Sequence, residues 1–113
     1  MLELVTPLRE RVTVKAPQQM SGPNVYRLSC EVQEAFAADQ EGVVIDFDGV
    51  DYIDLHGLVL LKDLCEMVEV CGGRTWAAHV GADMLDVLQE AELLGTVGGH
   101  FRMEDGEYEL RSA

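Results

Sequence analysis

The chain has 113 residues, 48% of them hydrophobic, which fits one domain with a real core and fits neither a disordered nor a membrane-embedded chain. Its net charge of −13, from 8 Lys and Arg against 21 Asp and Glu, argues against nucleic acid and anionic membrane surfaces as direct partners, since both need clustered cations. That charge suits solubility, or an encounter with a basic patch on another protein.

No stretch approaches the roughly 18 apolar residues of a membrane span. The start, Met1-Leu2-Glu3-Leu4-Val5, lacks the basic region and long apolar core of a signal peptide, so a cytoplasmic location is expected. Cysteines stand at 30, 65 and 71 with no CxxC spacing. Neither a disulfide framework nor a structural metal site follows, and buried reduced thiols are expected. No cofactor is implied.

In chain order, residues 2–5 and 11–15 read as two strands on either side of Pro7. The second alternates, with Val12 and Val14 on one face and Arg11, Thr13 and Lys15 on a wet one. Residues 16–23, with two Pro, two Gln, Ser and Gly, read as a loop. A helix is expected over 24–38, N-capped by Asn24, with Val25, Leu28, Val32 and Phe36 as its core stripe. Val43-Val44-Ile45-Asp46-Phe47 has the unbroken β-branched character of a central strand covered on both faces, and Asp48-Gly49 turns the chain. A second helix is predicted over 55–71, stopping at Gly72-Gly73. A strand over 74–80 follows. A third helix then carries Met84, Leu85, Val87, Leu88, Leu93 and Leu94 mostly on one side and closes at Gly95. Residues 96–103 suggest a weak last strand, and 104–113 an acidic tail or short helix. The order β-β-α-β-α-β-α-β favours a single mixed β-sheet with helices packed on it. The whole chain, 1–113, reads as one domain with its core over about 2–103.

The segment from Val43 through Asp46, Asp51, Asp54-Leu55-His56-Gly57-Leu58 resembles the central signature of STAS domains, the family of anti-sigma-factor antagonists. In those domains an apolar strand ends in Asp, and a short turn leads to an Asp-Ser-Ser-Gly-Leu or Asp-Ser-Thr-Gly-Leu helix start. Gly72-Gly73-Arg74 before a strand and Leu93-Leu94-Gly95 after a helix continue the likeness, over roughly residues 2–103. Gln18-Gln19 departs from it, standing where the family often has an acidic residue, and the C-terminal helix is short or missing. The resemblance implies a STAS-like α/β fold and a bacterial partner-switching role in transcription regulation. It implies a protein partner, an anti-sigma factor or kinase-like switch protein, with no enzymatic activity. A second role it implies is that of an accessory subunit docking on a membrane lipid or anion transporter.

In the resembled family the residue after Asp54 is a Ser or Thr whose phosphorylation breaks the complex. Here it is Leu55, the next hydroxyl position is His56, and no Ser or Thr lies between residues 51 and 74. The phospho-switch does not carry over, and a constitutive binder is expected.

Local physics adds roles to these residues. Asp54 is placed to cap the second helix. Gly57 allows another backbone, or the sheet, to come close. His56 reads as a helix-start histidine making a local hydrogen bond. At 100° per residue, Leu58, Leu61, Leu64, Cys65, Val68 and Cys71 take the core side. Leu55, Val59, Lys62, Asp63, Glu66, Glu69 and Val70 face outward. The expected partner-binding set is therefore Asp54, Leu55, His56, Gly57, Val59, Lys62 and Glu66. Asp54, His56 and Cys65 do not form a nucleophilic triad, because Cys65 lies about two and a half turns from His56 on the core side. Trp76 and Tyr26 read as packing residues.

Overall fold

In the computed structural model, residues 10–36, 40–94 and 107–112 are described. The elements are β1 (Arg11–Lys15), β2 (Gln19–Met20), α1 (Gly22–Ala35), β3 (Gly42–Asp46), β4 (Tyr52–Ile53), α2 (Leu55–Val70), β5 (Arg74–Ala78), α3 (Ala82–Glu90) and β6 (Tyr108–Leu110). The expected strands over 2–5 and 96–103, and the last residues expected in the first helix, lie outside the described residues.

A four-stranded sheet runs in the order β1-β3-β5-β6. β1, β3 and β5 are parallel, with Val14 beside Ile45 and Ile45 beside Ala77, and β6 joins β5 antiparallel. The sheet is thus mixed, as the sequence implies. Alternation along the strands sends Val14, Val43, Ile45 and Ala77 into one core with Val25, Leu28 and Val32 of α1 and Leu61, Leu64, Cys65 and Val68 of α2. Arg11, Thr13 and Lys15 stay exposed. The other face of the sheet buries Val44, Trp76 and Ala78 in a second cluster, which is why β3 carries no polar alternation. The Arg11 guanidinium lies 4.8 Å from the Trp76 ring centre and pairs with Glu107 at 2.9 Å.

Several local expectations are corrected. The 16–23 segment contains β2, which pairs in parallel with β4 as a separate two-stranded ribbon. Residues 108–110 form a strand, neither tail nor helix, held by main-chain pairing to Thr75, Trp76 and Ala77. The α1 cap position is Ser21, with Pro23 in the first turn, and Asn24 donates its side-chain amide to the Gln19 carbonyl at 2.8 Å. α2 ends as expected. Gly72 takes φ +89, its N–H meets Glu69 O at 2.9 Å and the Gly73 N–H meets Val68 O at 2.9 Å, a Schellman closure. α3 closes in the same way, but earlier than Gly95. Glu92 takes φ 61, with its N–H on Gln89 O at 3.0 Å and the Leu93 N–H on Leu88 O at 3.0 Å. Leu93 and Leu94 are therefore buried beyond the helix. Cys71, expected on the core side, is the exposed C-cap of α2, whereas Cys65 is buried and Cys30 half-buried, all three free.

Candidate functional site

The β2–β4 ribbon delivers the chain to the start of α2. Pairing of Met20 with Ile53 brings the Met20 carbonyl to the Asp54 N–H at 3.3 Å. Asp54 adopts an extended conformation, and its Oδ1 accepts the Gly57 N–H at 2.6 Å, as an N-cap carboxylate does. Gly57 is buried. A Cβ there would stand 2.1 Å from the Met20 carbonyl oxygen, so the close approach expected of this glycine is to the protein's own β2 backbone, and the residue serves the seating of α2.

Cap and seat turn the first residues of α2 outward. Leu55 is 78% exposed and Val59 49%. Lys62 is half-buried and Glu66 exposed, and neither forms an ion pair among the described residues. His56 makes no hydrogen bond among them, contrary to expectation. Its ring lies over Gly22 of α1, where an added Cβ would come within 2.4 Å of Nδ1. The residues expected together are thus divided. Leu55, His56, Val59, Lys62 and Glu66 present side chains, while Asp54 and Gly57 build the platform beneath them.

The start of α2 forms a ridge between two grooves. On one side Leu55, Leu58, Val59 and Lys62 face Val87 and Glu90 of α3 across a groove of about 340 Å³. On the other, His56 and Leu60 face Pro23, Tyr26, Arg27 and Cys30 of α1 across one of about 570 Å³. Tyr26, expected to pack, is 64% exposed, whereas Trp76 is buried. Sequence reasoning missed the α1 and α3 walls. The available signal was that Tyr26 and Arg27 fall off the Val25, Leu28, Val32 stripe.

The titratable groups with displaced pKa values lie elsewhere. Burial pushes the Cys65 thiol up to about 12, reinforced by the nearby Glu69 charge, so it is not a thiolate at neutral pH. At the C-terminal ends of β3 and β5, Asp46 Oδ1 accepts the Asp48 N–H at 2.9 Å and lies 2.9 Å from His79 Nδ1. The Asp48 hydrogen bond, then His79, hold the Asp46 carboxyl below its ordinary value, and Asp46 raises His79. Lys15 joins the cluster by donating to the Asp48 carbonyl.

The STAS domain family model matches residues 3–107. This chain belongs to the STAS domain family. No curated relative matches its sequence significantly. Among solved structures, it is similar to the anti-sigma factor antagonist SpoIIAA in its unphosphorylated form, at 23% identity and a TM-score of 0.56, over 79% of this chain and 80% of that one. It is also similar to part of the murine Solute Carrier 26 family member A9 anion transporter in the inward-facing state, at 15% identity and a TM-score of 0.66. That match covers 79% of this chain, which spans only 15% of the transporter. These likenesses establish the mixed-sheet STAS fold with three helices among the described residues. No helix among the described residues is long and apolar enough to cross a membrane.

Proposed function

We propose that this STAS domain is a non-catalytic, cytoplasmic docking module of a bacterial partner-switching system. It binds a protein partner through the exposed start and outward face of α2. The observation that carries the reading is Leu55, 78% exposed at the capped end of α2, in the position where the family places its phosphorylatable hydroxyl. An apolar side chain held out on a rigid helix end is poised to be buried by a partner. It also has no hydroxyl to receive a phosphoryl group, so binding is constitutive and regulated by abundance or by a signal elsewhere. Likeness to an anti-sigma factor antagonist supports a partner of the anti-sigma type.

Capture from the source cell lysate on the immobilised domain tests this reading. The wild type should retain a stoichiometric partner that Val59→Asp releases. Retention by that variant would overturn the α2 assignment. Incubation with cognate kinase and ATP should add no phosphate within residues 51–74, and a site mapped there would overturn constitutive binding. A second reading, an accessory subunit docking on a lipid or anion transporter, is favoured by the likeness to a transporter's domain. A transport protein as the captured partner would select it.

A further inference from the structure

The groove between α1 and α2 differs in chemistry from the rest of this surface. The protein carries 21 Asp and Glu, yet no carboxylate lines this groove. Its charged wall is the Arg27 guanidinium, with the His56 imidazole opposite, and Arg27 pairs with no carboxylate among the described residues. The remaining lining is largely apolar, from Pro23, Tyr26, Cys30 and Leu60. Its width at the His56 end depends on Gly22, because any Cβ at that position would drive the imidazole aside. The α2/α3 groove, by contrast, is lined by Glu90 as well as Lys62.

We propose that the α1/α2 groove receives a segment of the docking partner that carries a large apolar side chain beside a carboxylate, with Arg27 as its ionic anchor. The inference rests on the reading of α2 as the docking helix and deepens it. A guanidinium on an apolar wall, with no carboxylate partner among the described residues, donates charge-assisted hydrogen bonds to an incoming carboxylate, and these are stronger than neutral ones. Tyr26 and Leu60 supply the apolar contact. A surface groove of this kind holds a short segment weakly by itself. His56 and Leu60 share the first turns of α2 with Leu55 and Val59, so a partner resting on the ridge presents its neighbouring segment to the groove at high effective concentration. The net charge of −13 attracts a basic partner at long range. The cation of a groove free of lining carboxylates, in a field that is mostly acidic, then helps to fix the register of docking.

The test uses two capped peptides, N-acetyl-Leu-Glu-Phe-Glu-Leu-amide and its Lys counterpart, titrated into the isotope-labelled full chain and followed by amide NMR. At physiological salt, where charges beyond about 8 Å are screened, local groove chemistry governs the outcome. The acidic peptide should give saturable shifts at residues 22, 26, 27, 30, 56 and 60. Arg27→Glu should weaken that binding at least about tenfold, as loss of a charge-assisted contact does, with Arg27→Gln intermediate. Equal or stronger shifts at those residues from the Lys peptide would overturn the proposal. So would acidic-peptide binding that survives Arg27→Glu, or the absence of shifts in the groove with either peptide. The docking reading is judged separately, by whether Val59→Asp releases the captured partner, so either can fail without the other.

Discussion

At Gly57, helix propensity and packing oppose each other. Alanine is favoured over glycine inside a helix by about 1 kcal/mol. At this position its Cβ would stand 2.1 Å from the Met20 carbonyl oxygen, a backbone atom that cannot swing away. Overpacking costs typically 1–3 kcal/mol, and a clash with a backbone atom belongs in the upper half of that range, so after the propensity gain Gly57→Ala should show a net loss of stability of about 1–2 kcal/mol by urea denaturation. A neutral or stabilising result would mean that β2 moves freely from α2. A second residue-scale outcome concerns His79. Asp46 holds the imidazolium form, so the folded pKa of His79 lies above 6.5 and its contribution to stability is present below that value and lost as pH rises through the folded one. Asp46 lies below 3.8 in the fold, so its contribution is present above 3.8 and lost as pH falls through the folded value. The pair therefore contributes most between about pH 3.8 and 6.5. NMR titration should place the His79 midpoint above 6.5, and Asp46→Asn should bring it back toward 6.5. A wild-type midpoint at or below 6.5 would refute the contact. The pair was not legible in the sequence, and for Gly57 the close approach was legible but not that its partner is the β2 backbone, because each depends on which strand ends or backbone atoms the topology places together.

The two sides of α2 make opposite predictions at the scale of the element. Leu61 is fully buried, and Leu61→Ala should destabilise the fold by roughly 2–5 kcal/mol through the cavity it leaves. Val59 is half-exposed, and Val59→Asp should change stability by no more than about 0.5 kcal/mol while weakening the complex. Thermal denaturation of both variants, with binding measured on Val59→Asp, separates core from surface. Unfolding of Val59→Asp would mean that residue belongs to the core. The phase of this helix was readable because Leu61, Leu64, Cys65 and Val68 repeat at 3.6-residue spacing, and its end because Gly72 and Gly73 follow. Cys71 was misread because the helix stops at Val70, leaving the thiol at the cap. The end of α3 was not readable, since a glutamate takes the left-handed position that glycine usually marks. The β2–β4 ribbon was missed for a different reason. Two residues per strand leave no period to detect, and the ribbon exists through parallel pairing across more than thirty residues of sequence. Most of the outward face of α2 was thus legible, whereas the walls that make grooves beside it come from α1 and α3 and required the fold.

For the whole molecule, function and stability meet at Leu55 and can be separated there. Its side chain contributes little to the fold, being 78% exposed, but its burial by a partner would contribute up to roughly 1.5–3 kcal/mol. A carboxylate in its place would be desolvated and unpaired in the complex, which is unfavourable. The same carboxylate in the free protein sits in the first turn of a sixteen-residue helix whose amide end favours negative charge. That turn has no acidic residue of its own, so Leu55→Glu should leave the free domain as stable as before or slightly more so. The overall charge of −13 works against the variant only weakly, because distant surface charges are screened at physiological salt. The expected signature is an unchanged or slightly raised melting temperature together with at least about a tenfold loss of affinity for the captured partner, read by isothermal titration. In effect the substitution supplies the negative charge that phosphorylation would have added at a hydroxyl residue, and so turns a constitutive binder into a released one. If Leu55→Glu binds as tightly as the wild type, position 55 lies outside the interface and the partner engages another face of the domain. If the variant loses affinity and stability together, Leu55 supports the fold, and the separation of docking ridge from core at the start of α2 is wrong.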